Sequence, residues 1–182
     1  AFGDPQAYNL DEIQYFKDGI VNELDSNKAV FGISLGDLVG DDLDLHLPYK
    51  KAIKEIGLPW YNVIGNHDMN YDAKIDDESF EQNFGPANYS YNYGKVHFIV
   101  LDNILYPDPR DGKSYWGGFR EDQLKFIEND LKHVPKDHLI VLSHHIPLAD
   151  NNGEWFRVED RDRLFDLLAE YPNTLSLSAH TH

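Results

Sequence analysis

Polar side chains that can bind metal ions follow almost every short apolar segment of the chain. They are Asp4 and Gln6, then Asp37, then the run Asn66-His67-Asp68, then His144 and His145, and finally His180 and His182. Carboxylate and amide oxygens together with imidazole nitrogens suit divalent ions such as Mn, Zn or Fe. The chain has no cysteine, which excludes thiolate zinc sites, disulfides and a cysteine nucleophile. These residue types therefore predict a metal centre with oxygen and nitrogen ligands.

A centre of this kind can act on phosphate esters. Two divalent ions about 3.5–4 Å apart, bridged by a carboxylate, bind a phosphate group and lower the pKa of a water between them. The resulting hydroxide attacks phosphorus in line with the leaving group. The chain carries a formal charge of −16, from 32 acidic and 16 basic residues, so its surface repels nucleic acid and anionic membranes. We therefore expect no nucleic-acid partner, and an anionic substrate needs bound metal ions to cancel this charge locally.

The segments between these polar groups predict the elements that position them. Short apolar strands alternate with amphipathic helices, a pattern typical of an α/β fold. The predicted strands are 29–35, 60–64, 89–93, 96–101, 138–142 and 174–178, and the predicted helices are 10–24, 45–56, 121–132 and 158–169. In open α/β sheets the ligand sites lie beyond the carboxyl ends of the strands. We therefore expect the polar side chains to meet at one edge.

The length of 182 residues fits a single domain with a sizeable core. The chain begins inside an apparent strand and ends directly after another, at His182. We therefore expect residues 1–182 to form one catalytic domain excerpted from a longer chain, which has additional segments or domains on both sides. No apolar run approaches the roughly 18 residues that span a bilayer, so no transmembrane segment is predicted.

Four short motifs resemble, in the same order, the motifs of the calcineurin-like metallophosphoesterases. They are Gly36-Asp37, Gly65-Asn66-His67-Asp68, His144-His145-x-Pro147 and Ala179-His180-Thr181-His182. The resemblance covers nearly the whole chain, and its four-residue block and terminal His-x-His are specific. It implies a mixed β-sandwich flanked by helices in a four-layer α/β/β/α fold. It also implies hydrolysis of a small-molecule or protein phosphate ester, with monoester and diester substrates both open.

The resemblance assigns roles to individual residues. It implies two divalent ions, chosen from Mn, Zn, Fe and Mg, with Asp37 as the bridge. One ion is expected on Asp4, Gln6, Asp37 and His182, and the other on Asp37, Asn66, His144 and His180. His67 matches the histidine that stabilises the transferred phosphoryl group and protonates the leaving oxygen. Asp68 is expected to orient His67.

The family has a further motif before these four, usually Asp-x-His, which is therefore its first motif. Here it corresponds to Asp4-Pro5-Gln6 and departs from the usual pattern, because Gln6 stands where most members have histidine. A similar Asp-Pro-Gln start occurs in a subgroup of the family, yet glutamine is a weaker ligand than imidazole. The first ion therefore binds loosely, or Gln6 holds only a water. Purple acid phosphatases carry a tyrosine at the position of Gly40, so no tyrosinate-to-iron colour is expected. Segment 84–103 resembles the hairpin of exported bacterial multi-domain members, which favours a periplasmic or extracellular location.

Two other function classes compete with phosphoester hydrolysis. A catalytically silent metal-binding scaffold on the same fold would show eroded ligands, and only Gln6 fits that pattern. A zinc peptidase needs His-Glu-x-x-His, and a zinc deaminase needs cysteine ligands, neither of which this chain contains.

Several residues have weaker claims to the site. His145 is expected to support the ligand His144 or to contact substrate. Asp41 is expected to contact a metal ion or to cap a helix. Asn103 is expected to help shape the site. The irregular stretches 103–118 and 149–155 are long enough to predict functional loops. Their aromatic residues are candidates for stacking on substrate or for simple packing, and three arginines are candidate phosphate clamps by charge. These residues are Tyr106, Tyr115, Trp116 and Trp155, and Arg110, Arg157 and Arg161.

Overall fold

Helices and strands alternate along the chain in the computed structural model, which describes residues 1–24, 28–149 and 158–182. The helices are α1 (Leu10–Gly19), α2 (His46–Lys54), α3 (Glu78–Phe84), α4 (Glu121–Leu131) and α5 (Arg161–Leu168). The strands are β1 (Gly32–Ser34), β2 (Trp60–Asn62), β3 (Tyr89–Tyr93), β4 (Val96–Val100), β5 (Ile104–Leu105), β6 (Trp116–Gly117), β7 (Leu139–Ser143) and β8 (Thr174–Leu177). The predicted α/β class is confirmed. None of the described helices is long and apolar enough to cross a membrane.

The strands form one larger sheet and two smaller ones. The larger sheet has the order β3-β4-β7-β8, in which β3 and β4 are an antiparallel hairpin and β4, β7 and β8 are parallel. β1 pairs in parallel with β2, and Phe2 adds a parallel bridge on the other side of β1. β5 and β6 form a short antiparallel pair. The parallel pairings bring the carboxyl ends of β1 and β2, and those of β4, β7 and β8, to common edges.

Alternating side chains divide the core into two apolar clusters. Ile33, Leu35 and Val63 pack with Val100 of the larger sheet in a cluster between the two sheets. Ile99 and its neighbours on the opposite face of the larger sheet join a second cluster, which includes the buried residues of the helices. Because successive residues of a strand point to opposite faces, this arrangement places sheet against sheet inside and helices outside. The predicted sandwich flanked by helices follows from it.

The main differences from the predicted elements concern short segments. Helix α1 ends at Gly19, and a separate 3-10 turn, Val21–Glu23, follows it. Helix α3 is not predicted, because its seven residues give only Phe80 and Phe84 as an apolar pair one turn apart. The loop 103–118 contains the β5–β6 pair, and its Asp108 amide donates to the Ser114 carbonyl. The predicted loop 149–155 lies almost wholly outside the described residues.

Candidate metal centre

Side chains from four strand ends converge on one small volume. Asp37 follows β1, Asn66 follows β2, His145 follows β7 and His180 follows β8. Ligand atoms of Asp37, His145 and His180 all lie within 4.8 Å of one another. The Nε2 atom of His145 lies 3.2 Å from Asp37 Oδ2, 3.1 Å from Asn66 Oδ1 and 3.1 Å from His180 Nδ1. The predicted meeting of polar side chains at one edge is therefore present in the fold.

The donor set fits a divalent cation. Nδ1 of His145 lies 2.9 Å from the Leu35 carbonyl, which can only accept, so Nδ1 carries a proton and Nε2 is the atom left to bind a metal ion. Nε2 faces a carboxylate oxygen, an amide oxygen and a second imidazole nitrogen, which are donor atoms that suit a divalent cation. Burial lowers the pKa of His145, but its hydrogen bond to the Asp37 carboxylate and that group's charge outweigh burial and raise it. The centre thus attracts positive charge, and a bound ion would displace the proton.

The bridging candidate Asp37 stays ionised at this centre. Burial raises the pKa of its carboxyl, but the hydrogen bond and charge of His145 outweigh burial and hold the pKa below its usual range. The Asp37 Oδ1 atom also accepts a hydrogen bond of 2.9 Å from the backbone amide of His67. An ionised carboxylate with one oxygen facing His145 and the other fixed by an amide is suited to bridging two ions.

The structure places His145 at the cluster, whereas the predicted ligand His144 lies away from it. His144 is fully buried, and its Nδ1 lies 2.9 Å from the Ile146 carbonyl while its Nε2 lies 2.7 Å from Ser176 Oγ. Both ring nitrogens therefore have protein partners, and neither faces the cluster. His145 therefore faces the cluster from a position where it could bind a metal ion, and His144 contacts the neighbouring backbone and strand β8.

The burial of His144 predicts a loss of stability in acid. Burial lowers its pKa from 6.5 to about 4, so the unfolded chain takes up this proton at a higher pH than the folded protein. The stability contribution is complete above about pH 6.5 and is lost as pH falls toward 4. Between about pH 7 and pH 5 we expect His144 to account for a loss of about 2 kcal/mol in unfolding free energy.

Urea unfolding of metal-free protein at several pH values measures this effect. The His144→Gln variant has no titrating group at position 144, so its unfolding free energy should depend less on pH than that of the wild type. Equal slopes in the two proteins would show that His144 does not remain neutral in the fold.

The first motif lies directly beside this cluster. The Asp4 carboxylate accepts a hydrogen bond of 2.9 Å from the backbone amide of His180, and the backbone amide of Gln6 donates to the backbone carbonyl of Asp37 at 2.8 Å. Burial raises the pKa of Asp4, and Asp37 adds to the rise, while the histidines His145 and His182 act in the opposite direction. The cluster is thus flanked by Asp4, Gln6 and His182. That their side chains bind a second ion stays a prediction.

The backbone is strained at the residues of the centre. Among the described residues, nearly all non-glycine positions with left-handed backbone conformation belong to the predicted site, with Ser114 as the exception. A left-handed residue with a Cβ costs roughly 1–2 kcal/mol, and such conformations concentrate at functional sites. The site residues are Asp4, Gln6, Asp37, Asp41, His180 and His182, with φ between 40° and 70°.

Asp68 anchors the loop that carries Asp37. Its fully buried carboxylate accepts hydrogen bonds from the amides of Leu38 at 2.9 Å, Val39 at 3.2 Å and Gly65 at 2.9 Å. The ring of His46, which is also fully buried, lies 3.3 Å from the same carboxylate. Asp68 therefore joins the second motif to the third through the backbone.

The prediction that Asp68 orients His67 is corrected by these contacts. The His67 ring is partly exposed, and its Nδ1 lies 2.7 Å from the carboxylate of Asp41. The His67 ring therefore contacts Asp41, whereas the Asp68 carboxylate accepts hydrogen bonds from backbone amides. The neighbouring Asp42, and not Asp41, caps the following turn by accepting from the amide of Asp44.

Asn103 holds the segment that carries His145. Its Oδ1 accepts from the amides of His145 at 3.2 Å and Ile146 at 3.1 Å, and its Nδ2 donates to the Ile146 carbonyl at 2.6 Å. Next to it, the buried Asp102 pairs with Arg120 at 2.9 Å, although burial still raises the pKa of Asp102 to about 6. Asn103 is fully buried behind the cluster, so it shapes the site and does not face substrate.

Two of the three predicted phosphate clamps, Arg110 and Arg161, contact other protein groups. Arg110 forms an ion pair with Asp108 at 2.7 Å, and its guanidinium lies 3.1 Å above the ring of Trp116. Trp116 is itself buried. Arg161 Nη1 lies 3.3 Å from the Leu148 carbonyl. Trp155 and Arg157 lie outside the described residues.

Comparisons with known proteins agree with this geometry. The family described as calcineurin-like phosphoesterase matches residues 1–182. A protein of Arcobacter nitrofigilis, named probable glycerophosphodiester phosphodiesterase, is 30% identical over 142 residues, which cover 74% of this chain and 49% of that protein. The chain thus spans about half the length of this curated relative.

Two solved structures share the fold. A purple acid phosphatase from yellow lupin, Lupinus luteus, superposes with a TM-score of 0.67 at 18% identity, covering 100% of this chain and 37% of that one. A dimetal phosphatase from Danio rerio gives a TM-score of 0.63 at 14% identity, covering 100% of this chain and 81% of that one. At these identities the likeness shows the fold alone. The family model, in contrast, matches the sequence over residues 1–182, and this match shows the family: this chain belongs to the calcineurin-like phosphoesterase family.

Proposed function

We propose that the protein hydrolyses phosphate esters at a dinuclear metal centre. The observation that carries this proposal is the convergence of Asp37, Asn66 and His180 on the Nε2 atom of His145. One ion would be held by these four residues. The second would be held by Asp4, Gln6 and His182 together with the shared Asp37. Gln6 makes this second position the weaker one, because a neutral amide binds a cation less strongly than imidazole.

The residues around the centre divide the chemical tasks. When bound, the two ions supply positive charge that neutralises the phosphate and makes a water acidic enough to act as nucleophile near neutral pH. Asp37 would be the carboxylate shared by both ions. His67, whose amide is bound to Asp37 and whose ring is bound to Asp41, lies beside the centre. Its Nε2 proton would pass to the ester oxygen as the bond to phosphorus breaks.

Diesters are the favoured substrates within this proposal. The relative from Arcobacter nitrofigilis carries the name of a phosphodiesterase, and its match spans most of this chain. A diester also bears one negative charge where a monoester bears two. The strongly acidic chain therefore opposes a diester less than a monoester.

Hydrolysis of p-nitrophenyl esters tests the proposal. Purified protein loaded with Mn²⁺ should release p-nitrophenol from bis(p-nitrophenyl) phosphate faster than from p-nitrophenyl phosphate, and chelation should stop both reactions. The His67→Ala variant should be strongly impaired. The His133→Ala variant removes an exposed histidine far from the motifs and serves as its control. Folded, metal-loaded protein that cleaves neither ester nor any other phosphodiester would instead support a catalytically silent scaffold.

The contact between Asp41 and His67 predicts a leaving-group effect. Asp41→Ala frees the His67 ring, so proton donation to the leaving oxygen should suffer. General acids contribute about 10²–10⁴-fold, so we expect about a 100-fold loss for an ester with a poor leaving group such as phenol. An ester of p-nitrophenol, which leaves without a proton, should lose less than about tenfold.

The ratio of kcat values for the phenyl and p-nitrophenyl esters measures this difference. The Asp44→Ala variant removes an exposed carboxylate from the same segment and controls for the change in charge. If Asp41→Ala slows both esters equally, Asp41 does not act through proton donation.

A further inference from the structure

Tyrosine side chains flank the candidate metal centre on one side. The ring of Tyr115 meets the ring of His180 edge to face, with 6.2 Å between centroids and 81° between planes. Tyr71 lies five residues after Asn66, and its hydroxyl donates a hydrogen bond of 2.6 Å to the Asn66 carbonyl. Two tyrosines from separate segments therefore each touch a predicted ligand residue. We call Tyr71 and Tyr115 the tyrosine wall.

Neighbouring residues hold the tyrosine wall in place. The ring of Tyr106 packs on that of Tyr71 with 4.6 Å between centroids, and its hydroxyl donates to the Tyr71 carbonyl at 3.0 Å. Tyr115 lies between Ser114, whose carbonyl accepts from Asp108 at 3.0 Å, and Trp116, which is buried in strand β6. Both rings are half-buried. They are thus positioned before any substrate arrives, which lowers the entropic cost of binding a planar group.

The charges around the tyrosine wall select against a second anionic group. Asp37 lies close enough to act electrostatically on both tyrosines, and Asp41 and Asp76 lie close enough to act on Tyr71. The protein charge around the tyrosine wall is therefore negative. A neutral planar group can stack there, whereas another phosphate would be repelled.

We propose that Tyr71 and Tyr115 bind a neutral, planar organic group of a phosphodiester, the ester group that stays on phosphorus when the other one leaves. This inference rests on the proposed function, because it names a substrate class for the same centre. A phosphate monoester has no such second group. The tyrosine wall therefore gives the site a means of distinguishing aryl-type diesters from small alkyl diesters. Stacking on an aromatic face accepts different planar groups and needs no directional hydrogen bond.

Two esters with the same leaving group separate stacking from chemistry. Phenyl p-nitrophenyl phosphate and methyl p-nitrophenyl phosphate both release p-nitrophenol and differ in the group that remains. We expect Mn²⁺-loaded wild-type protein to prefer the phenyl ester in kcat/KM. Tyr115→Leu should reduce the phenyl-to-methyl ratio about five- to tenfold, the size of one aromatic contact, through a higher KM for the phenyl ester.

Matched variants distinguish the ring from other effects. Tyr115→Phe keeps the ring and should keep the ratio. Tyr15→Leu removes a tyrosine that is 80% exposed on helix α1 and should leave both rates unchanged. Equal losses for the two esters in Tyr115→Leu, or no loss for either, would overturn the inference and leave the hydrolase proposal intact. Turnover of neither ester by the wild type would overturn the hydrolase proposal and this inference with it.

Competitive inhibition of the wild type provides a measurement that needs no variant. Phenylphosphonate and methylphosphonate place the same anion at the centre and differ only in the organic group. Tighter inhibition by phenylphosphonate supports stacking on the tyrosine wall. Equal inhibition by the two compounds would contradict it.

Discussion

Replacing His145 with alanine is expected to abolish metal-dependent hydrolysis while the fold persists. The Nε2 atom of His145 is the meeting point of Asp37, Asn66 and His180, so its loss removes the central ligand of the cluster. Even residues that only support metal ligands contribute about 10–100-fold, so we expect a loss in kcat/KM of more than about 100-fold. Metal content after dialysis against Mn²⁺ should fall together with activity.

The neighbouring histidine supplies the matched control. His144→Gln removes the same side-chain type one residue away, where the ring bonds Ile146 and Ser176. We expect this variant to keep its metal and to stay within about tenfold of wild-type activity. Its unfolding free energy should fall by about 1–3 kcal/mol, because buried polar groups lose their partners. If His144→Gln loses the metal and His145→Ala keeps it, the assignment of the ligand to His145 is wrong.

Gly65→Ala is expected to be the most damaging small substitution in the chain's motifs. A Cβ at Gly65 would lie 2.0 Å from the Asp37 amide nitrogen and 2.2 Å from Asp37 Oδ1. Both atoms belong to a loop that Asp68 fixes by hydrogen bonds to the amides of Leu38 and Val39, so the loop cannot withdraw without breaking them. We expect a loss of about 2–4 kcal/mol in unfolding free energy and a large loss of activity.

Urea denaturation followed by circular dichroism measures the effect of Gly65→Ala. Gly19→Ala is the control, since a Cβ at Gly19 meets nothing within 4 Å. That variant lies in the last turn of helix α1 and should be neutral or more stable by up to about 1 kcal/mol. Wild-type stability in Gly65→Ala would mean that the Asp37 loop is more compliant than its hydrogen bonds indicate.

Strand ends could be predicted from the sequence because almost every apolar segment stops at a polar residue of a type that can bind a metal ion. The identity of the ligand within the His144-His145 pair was also accessible from strand periodicity. Ile140, Leu142 and Ile146 are buried in one core cluster, and His144 shares their face by alternation. His145 lies on the other face. Motif resemblance alone does not include this alternation, and it pointed to the histidine that lies away from the cluster.

Other parts of the site depend on contacts between distant segments, which a single sequence does not reveal. Asp68 is adjacent to His67 in sequence, yet its carboxylate turns toward amides 29 and 30 residues earlier in the chain. Asp41 reaches His67 across 26 residues. Tyr71 belongs to no motif, and its place beside Asn66 follows only from the path of the chain after the Gly65-Asn66-His67-Asp68 motif.

The left-handed residues of the centre bear on how this sequence would change without its chemistry. Glycine adopts such conformations at little cost, so a chain shaped by stability alone would carry glycine at these positions. This chain instead carries aspartate, glutamine and histidine there, at Asp4, Gln6, Asp37, Asp41, His180 and His182. Each of these strained positions carries a side chain for which the proposed centre has a use. Drift toward glycine at these positions would therefore be an early sign, in any descendant, that the centre had ceased to matter.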